Sequence, residues 1–250
     1  MRIQSDIPDL SDLSVVVTIW LPLAVYLTHL MVKAINFFFY RDYMDGEKGV
    51  TELLTLLFLA IAMFGAVQAI RIARTLESKV LVGWLCLMFL GSFYFFGEEA
   101  SWGQHVFGWD TPDGSAARND QPETNLHNLG GGPGSLLDKV PRNILTLCAL
   151  FLGFVYPLWR IKRSIVFSPS SWQYWLFPTT ACVTVGFIAA AGSLPGKVIH
   201  WEPWFKPDFG EIKELMIALF IMIYVFSILK RLRQVANAAV SSNTAVNANP

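Results

Sequence analysis

The stretch that decides the fold is "VLVGWLCLMFLGSFYFFG", which runs from Val80 to Gly97 without a charged residue. An α-helix needs about 20 mostly apolar residues to cross the hydrocarbon core of a bilayer. The run is followed at once by "EEASWGQHVFGWDTP", which contains Glu98, Glu99 and His105. The sequence therefore predicts a membrane span that ends in ionisable side chains. These side chains either mark an ordinary exit into water or belong to a functional site.

The composition supports the membrane interpretation. Of 250 residues, 54% are hydrophobic and only 15% are charged, whereas soluble domains average about 25% charged residues. The formal net charge is zero, so it indicates no acidic or basic macromolecular partner. We expect contact with the lipid bilayer, no nucleic acid, and protein partners that the sequence does not identify.

Five other apolar stretches resemble the first in length. The chain is predicted to form one all-α, polytopic transmembrane helical bundle over 1–234, with a disordered small-residue tail at 235–250. The end of the first span, "INFFFYRDY", is predicted to bend along the membrane interface as an aromatic belt. Pro178 and Gly186 are expected to loosen the fifth span. The predicted spans are 13–39, 50–70, 80–97, 143–159, 173–194 and 212–229.

Basic residues in the short loops indicate the orientation. The positive-inside rule counts Lys and Arg in short loops close to the spans. The loops after the second and fourth spans hold three each, namely Arg71, Arg74 and Lys79, then Arg160, Lys162 and Arg163. Both termini are therefore predicted to be cytoplasmic, and the segment that begins at Glu98 is predicted to lie on the outer side.

The segment after the third span is predicted to continue as a helix. At about 100° per residue, Tyr94, Glu98, Ser101, Trp102 and His105 would share one face, with the following carboxylate, Glu99, pointing away from it. A carboxylate and an imidazole two turns apart can bind a metal or act as an acid/base pair. The alternative is that the two carboxylates only mark the exit into water.

A second polar segment, "NDQPETNLHNLG", is predicted to form a short helix on the outer face between spans three and four. Pro122 is typical of a first helical position and Gly130 of a helix end. Glu123 and His127 are then four residues apart on one face. We expect this helix to dock over the mouth of the bundle, although a surface helix with a chance pair is the alternative.

The second outer segment precedes the sixth span. Asp208 and Glu211 are interpreted as a capping pair. Glu214, one turn further on, is predicted to line the same mouth or to pair with Lys197 or Lys206.

Three further residues remain candidates. His200 lies in a tryptophan-rich setting, and Glu52 lies just inside the second span. His29, alone in an apolar run, is more typical of a hydrogen-bonded core histidine than of a metal ligand.

The runs "GEEASWGQ" and "ETNLHN" are similar to those of a group of uncharacterised bacterial multi-pass membrane proteins. Those proteins share a Glu-Glu-x-Ser-Trp-Gly-Gln run followed, about twenty residues on, by a Glu-Thr-Asn-Leu-His-Asn run. The resemblance implies a bacterial inner (plasma) membrane but no activity. A more distant chemical analogy is to the ceramidase-like membrane hydrolases, which bind zinc near one membrane face with a serine close by. In that analogy Ser101 and His105 would have corresponding roles, although the spacings of that family are absent.

The first functional hypothesis is a metal-dependent hydrolase or transferase that acts on a lipid or lipid-linked substrate. A divalent metal such as zinc would activate a bound water, and Glu99 or Asp110 would transfer the proton. The predicted ligands are Glu98, His105, Glu123, His127 and His200, and the predicted catalytic residues are Glu98, Glu99, Ser101 and Asp110.

Two other classes of function remain open. An ion-coupled transporter would use Glu98, Glu52 and Glu214 as a proton or cation path. A non-catalytic assembly or scaffold protein would bind a partner through the polar outer helix. A haem site is a minor option, because no histidine pair lies mid-span on facing helices.

Overall fold

The computed structural model describes residues 13–45, 49–111, 134–192 and 210–247. Throughout these residues the regular secondary structure is helical, which confirms the predicted all-α bundle. The α-helices are α1 (Leu21–Ile35), α2 (Phe37–Phe39), α3 (Val50–Thr75), α4 (Lys79–Glu99), α5 (Gln104–Phe107), α6 (Gly134–Cys148), α7 (Tyr156–Lys162), α8 (Trp172–Leu176), α9 (Val183–Ala191) and α10 (Gly210–Asn247). Short π-helical segments precede α1, follow α2 and join α6 to α7.

Six helical stretches are long and apolar enough to cross a membrane, in agreement with the sequence prediction. Their boundaries differ from the predicted ones by a few residues at most ends, as is usual where helix ends fray. The spans are Val16–Ile35, Val50–Thr75, Lys79–Glu99, Val140–Lys162, Trp172–Ala191 and Gly210–Ala238.

Helix α10 forms the centre of the bundle. Its most apolar window is 83% buried, compared with 50% or less for the other spans. Leu215, Ile223 and Ile228 are fully buried. The helix is apolar on all sides, and a helix of that kind is stable only when other helices surround it or when it faces lipid.

The closest neighbour of α10 is α3, which meets it along a row of small residues. Small side chains let membrane helices approach closely, and van der Waals packing then holds them together. A side chain at Gly65 would collide with Phe226 of α10, because its Cβ would lie 2.8 Å from Phe226 Cε2. The buried alanines of the row are Ala62, Ala66, Ala69 and Ala73.

The fifth span is interrupted at Pro178, as the sequence predicts. Helix α8 ends at Leu176, the backbone is extended at Phe177 and Thr179, and helical structure resumes at Thr180. The central helix satisfies the freed polar groups: Tyr224 Oη donates to the Leu176 carbonyl, and Thr179 Oγ1 lies 3.1 Å from Ser227 Oγ. A broken helix is tolerated at membrane depth when its neighbours supply such partners.

The first span ends earlier than predicted. Helix α1 stops at Ile35 because Asn36 is extended, and the Asn36 side chain accepts a hydrogen bond from the Phe39 amide at 3.0 Å. The bend predicted within "INFFFYRDY" is therefore present, and Phe38 and Tyr43 beyond it are exposed.

Helix α10 continues to Asn247, into the segment from residue 235 for which the sequence predicts a disordered tail. The segment 235–247 contains neither glycine nor proline, and Ala236, Ala238 and Ala239 have the highest intrinsic helix propensity. The small and polar side chains of this segment indicated disorder, whereas in the structure α10 extends beyond the membrane span.

Candidate functional site

The site begins where α4 ends. The helix stops at Glu99, and the next residues reverse the chain through left-handed backbone angles, with φ of 44° at Ser101, 53° at Trp102 and 90° at Gly103. The reversal folds the Trp102 ring back over Gly97. A Cβ at Gly97 would lie 2.7 Å from Trp102 Cζ3, so this contact requires glycine.

The reversal brings Glu98 and Trp102 together. Trp102 Nε1 donates a hydrogen bond to Glu98 Oε1 at 2.7 Å, and the ring of Tyr94 lies 6.1 Å from that of Trp102. Glu98 is only 4% exposed. The prediction of one continuous helical face from Tyr94 to His105 is wrong, because the helix does not continue past Glu99. The carboxylate nevertheless lies inside the protein and not in bulk water.

A cluster of three carboxylates, Glu99, Glu211 and Glu214, forms the centre of the site. One ligand oxygen from each lies within 4.8 Å of the others, and all three residues are partly buried. Glu99 comes from the end of α4, and the other two come from the first turns of α10. The prediction that Glu99 points away from the site of Glu98 is wrong, since both line one cavity. We call these three residues the carboxylate triad.

Arg142 of α6 completes the cluster. Its Nη1 donates a hydrogen bond to Glu214 Oε1 at 2.8 Å, with the two side chains 31% and 14% exposed. Sequence reasoning missed this arginine and proposed Lys197 or Lys206 as partners of Glu214. Those lysines lie outside the described residues. The available signal was a basic residue at the very start of an apolar run, where a charge is costly unless it is paired.

Glu52 of α3 also belongs to this region. It interacts electrostatically with Glu99, as do Glu211 and Glu214. Acidic residues of α3, α4 and α10 therefore lie toward the same end of the bundle, and the sequence had indicated Glu52 and Glu214 as candidates. Glu211, interpreted as a local cap, does lie in the first turn of α10, where a carboxylate is favoured by the helix dipole. It also belongs to the triad.

Glu99 and Glu214 line a cavity of about 310 Å³ between α4, α6 and α10. Among the described residues, three acidic side chains and one basic side chain line it. Apart from the Tyr94 phenol, the other lining side chains are apolar. The lining residues are Gly91, Tyr94, Phe95, Glu98, Glu99, Pro141, Arg142, Ile144, Leu145, Glu214 and Ile217.

Two other predicted catalytic residues lie away from this cavity wall. Ser101 is buried within the reversal and has a positive φ, while Asp110 is exposed beyond α5. Their catalytic roles remain predictions. Helix α5 contains His105, but its side chain lies outside the described residues, as do Glu123, His127 and His200, and their roles as metal ligands also remain predictions. The predicted outer-face helix lies in the same undescribed part.

His29 has the environment expected of a core histidine. It is 2% exposed, its Nδ1 lies 2.7 Å from the Val25 carbonyl oxygen, and its Nε2 lies 3.1 Å from Thr51 Oγ1. Both ring nitrogens therefore have protein partners, and the ring helps to hold α1 against α3.

No family model, curated protein or solved structure matches the chain.

Proposed function

We propose that the protein is a membrane-embedded, metal-dependent hydrolase or transferase that acts on a lipid or lipid-linked substrate. The observation that supports this proposal is the carboxylate triad, two of whose members, Glu99 and Glu214, line a largely apolar cavity. The triad supplies metal ligands, and the apolar wall suits a substrate that arrives from the bilayer. Sites for small ligands commonly combine an apolar wall with a few convergent polar groups.

The ligand chemistry favours a hard divalent cation. Three carboxylates offer only oxygen donors, which suit Mg²⁺, Mn²⁺ or Ca²⁺, whereas zinc sites usually include nitrogen or sulfur ligands. A cation bound among the three carboxylates would lie next to Arg142, which contributes one positive charge to the site. We therefore propose magnesium or manganese as the bound metal, in place of the zinc that the sequence led us to expect.

The proposed chemistry assigns a separate task to Glu98. A divalent cation on the triad would lower the pKa of a bound water and polarise an ester or phosphoryl oxygen of the substrate. Glu98 lines the same cavity but does not belong to the triad. In the proposed reaction it transfers a proton between the water and the leaving group. Its hydrogen bond from Trp102 holds the carboxylate in one orientation.

An ion-coupled transporter is the second candidate. It is favoured by the electrostatic coupling of Glu52, Glu99, Glu211 and Glu214 across three helices. Ionisable residues within spans commonly mark ion or proton paths. Flux of protons or Na⁺ into liposomes that contain the purified protein, lost in Glu99→Gln, would favour this function if no divalent metal binds.

The proposed location is the bacterial inner membrane, with both termini in the cytoplasm. The support is the basic loops after the second and fourth spans, Arg71, Arg74 and Lys79, then Arg160, Lys162 and Arg163. In this orientation the triad faces the outer side of the membrane.

The test is Mn²⁺ binding to detergent-purified protein prepared without chelator. Electron paramagnetic resonance of free Mn²⁺ and elemental analysis by plasma mass spectrometry would be recorded for wild type, Glu99→Gln and Glu214→Gln. We expect about one site per chain and a loss of affinity of about tenfold or more in each variant, since each removes one charged ligand.

Glu77→Gln is the matched control, because Glu77 is exposed in the turn between α3 and α4. His127→Ala asks whether the predicted histidine also contributes. The proposal is wrong if wild type binds no divalent metal, or if Glu99→Gln and Glu214→Gln bind Mn²⁺ as tightly as wild type while eluting as folded monodisperse protein.

A further inference from the structure

A second cavity lies next to the first along α4. It measures about 170 Å³ and shares three wall residues with the first cavity: Gly91, Phe95 and Leu145. The two cavities therefore adjoin, and we call the stretch of wall that they share the passage. We call the first the head cavity and the second the tail cavity.

The tail cavity is enclosed partly by the interrupted fifth span. Its polar wall atoms are already hydrogen-bonded within the protein. Trp84 Nε1 donates to Tyr224 Oη, Tyr224 Oη donates to the Leu176 carbonyl, and Ser92 Oγ donates to the Met88 carbonyl. The cavity therefore offers mostly hydrocarbon surface to an occupant, and burying apolar surface is what favours binding there.

The polarity of the two cavities fits an amphiphile. Fifteen residues of α4 separate Trp84 in the tail cavity from Glu99 in the head cavity, which is about 22 Å at 1.5 Å per residue. The two cavities together therefore extend past one leaflet, whose hydrocarbon depth is about 15 Å, half that of the whole core. The charged residues that line them lie only at the end of this path where the helix leaves the membrane.

We infer that one acyl chain of a bilayer lipid passes over Gly91 and lies in the tail cavity, while the head group of the same lipid reaches the triad. The inference rests on the proposed function, for which it names the substrate class and a residue that determines specificity.

Gly91 is the residue that keeps the passage open. A Cβ placed on Gly91 meets nothing within 4 Å, and the residue lines both cavities. A larger side chain there would occupy the passage without clashing with a neighbouring helix. Gly83 is the matched control: it lies two turns earlier on the same helix, its Cβ also meets nothing within 4 Å, and it lines neither cavity.

The experiment is photo-crosslinking in nanodiscs with a glycerophospholipid that carries a diazirine on the last carbons of one palmitoyl chain. Adducts are mapped by peptide mass spectrometry and normalised to those at Phe64, an exposed residue of α3. In wild type we expect enriched adducts at Cys148 and Leu152, which line the tail cavity.

Gly91→Trp should lower this enrichment about fivefold or more because the indole fills the passage, with Gly91→Leu intermediate. Gly83→Trp should leave it unchanged. The inference fails if Gly91→Trp and Gly91→Leu label the cavity as wild type does.

Mn²⁺ binding measured on the same preparations separates this inference from the proposed function. If labelling depends on Gly91 but the protein binds no Mn²⁺, the lipid site is supported and the proposed enzymatic function is rejected. If Glu99→Gln abolishes Mn²⁺ binding but substitutions at Gly91 do not change labelling, the proposed enzymatic function is supported and the lipid site in the tail cavity is rejected.

Discussion

Tyr224→Phe is the substitution that best tests how the broken fifth span is held. The Tyr224 side chain is 4% exposed and lies mid-helix in the central span. Its hydroxyl accepts a hydrogen bond from Trp84 Nε1 at 2.7 Å and donates one to the Leu176 carbonyl at 2.5 Å. Phenylalanine keeps the ring and removes only the atom that joins α4 and α8 to α10.

The expected loss of stability follows from those two bonds. Hydrogen bonds between helices in membranes contribute about 0.6 kcal/mol on average and up to about 1.7 kcal/mol each. The substitution leaves a tryptophan N–H and a backbone carbonyl without this partner in an apolar setting, and an unsatisfied buried group costs about 1–3 kcal/mol. We therefore expect Tyr224→Phe to lower the free energy of unfolding by about 1–3 kcal/mol.

The assay is reversible unfolding in mixed micelles of lipid and sodium dodecyl sulfate. Tyr43→Phe is the control, because that tyrosine is 63% exposed. Trp84→Phe and the double variant complete a mutant cycle. A loss below about 0.3 kcal/mol for Tyr224→Phe, well under the average for one such bond, would show that neither hydrogen bond stabilises the interrupted span.

Two further outcomes follow from the close contacts. Gly186→Ala should lower the free energy of unfolding by about 1–3 kcal/mol, because its Cβ would lie 2.7 Å from the Ala149 carbonyl oxygen. Gly83→Ala should leave the free energy of unfolding unchanged, because its Cβ meets nothing within 4 Å. Equal melting temperatures for the two variants would contradict this prediction. Arg142→Met should tighten Mn²⁺ binding roughly fivefold, because it removes a positive charge beside the triad. The affinity is measured by electron paramagnetic resonance of free Mn²⁺. Weaker binding in this variant would mean that Arg142 is needed to position Glu214.

The sequence predicted part of the candidate site. It identified Glu98 and Glu99 as a polar end to the third span, and Glu52 and Glu214 as candidates near the same mouth. It directed Glu99 away from the face of Glu98 because adjacent helical residues point about 100° apart, whereas one cavity is wide enough for both side chains to line it. The reversal at Ser101 to Gly103 depends on left-handed backbone angles at two non-glycine residues, which local sequence patterns do not indicate.

The sequence did not predict that Arg142 and Glu211 belong to the site, and the reason here is different. Each has a local interpretation: a charge at the start of an apolar run, and an acidic cap in a first helical turn. Their presence in the site depends on the lateral placement of α6 and α4 against α10. That placement comes from contacts between residues far apart in sequence, which no local pattern encodes.

The sequence by itself determined the six spans, since the cost of exposing backbone to hydrocarbon forces long apolar runs into helices. It also determined the break at Pro178, because proline cannot donate the helical hydrogen bond. Only the tertiary structure decided which span is central and which carboxylates meet. The choice of central span depends on how closely small residues such as Ala66 let helices approach. The meeting of the carboxylates depends on distances of a few ångströms between side chains of different helices, because a charge in the membrane is costly unless it is paired.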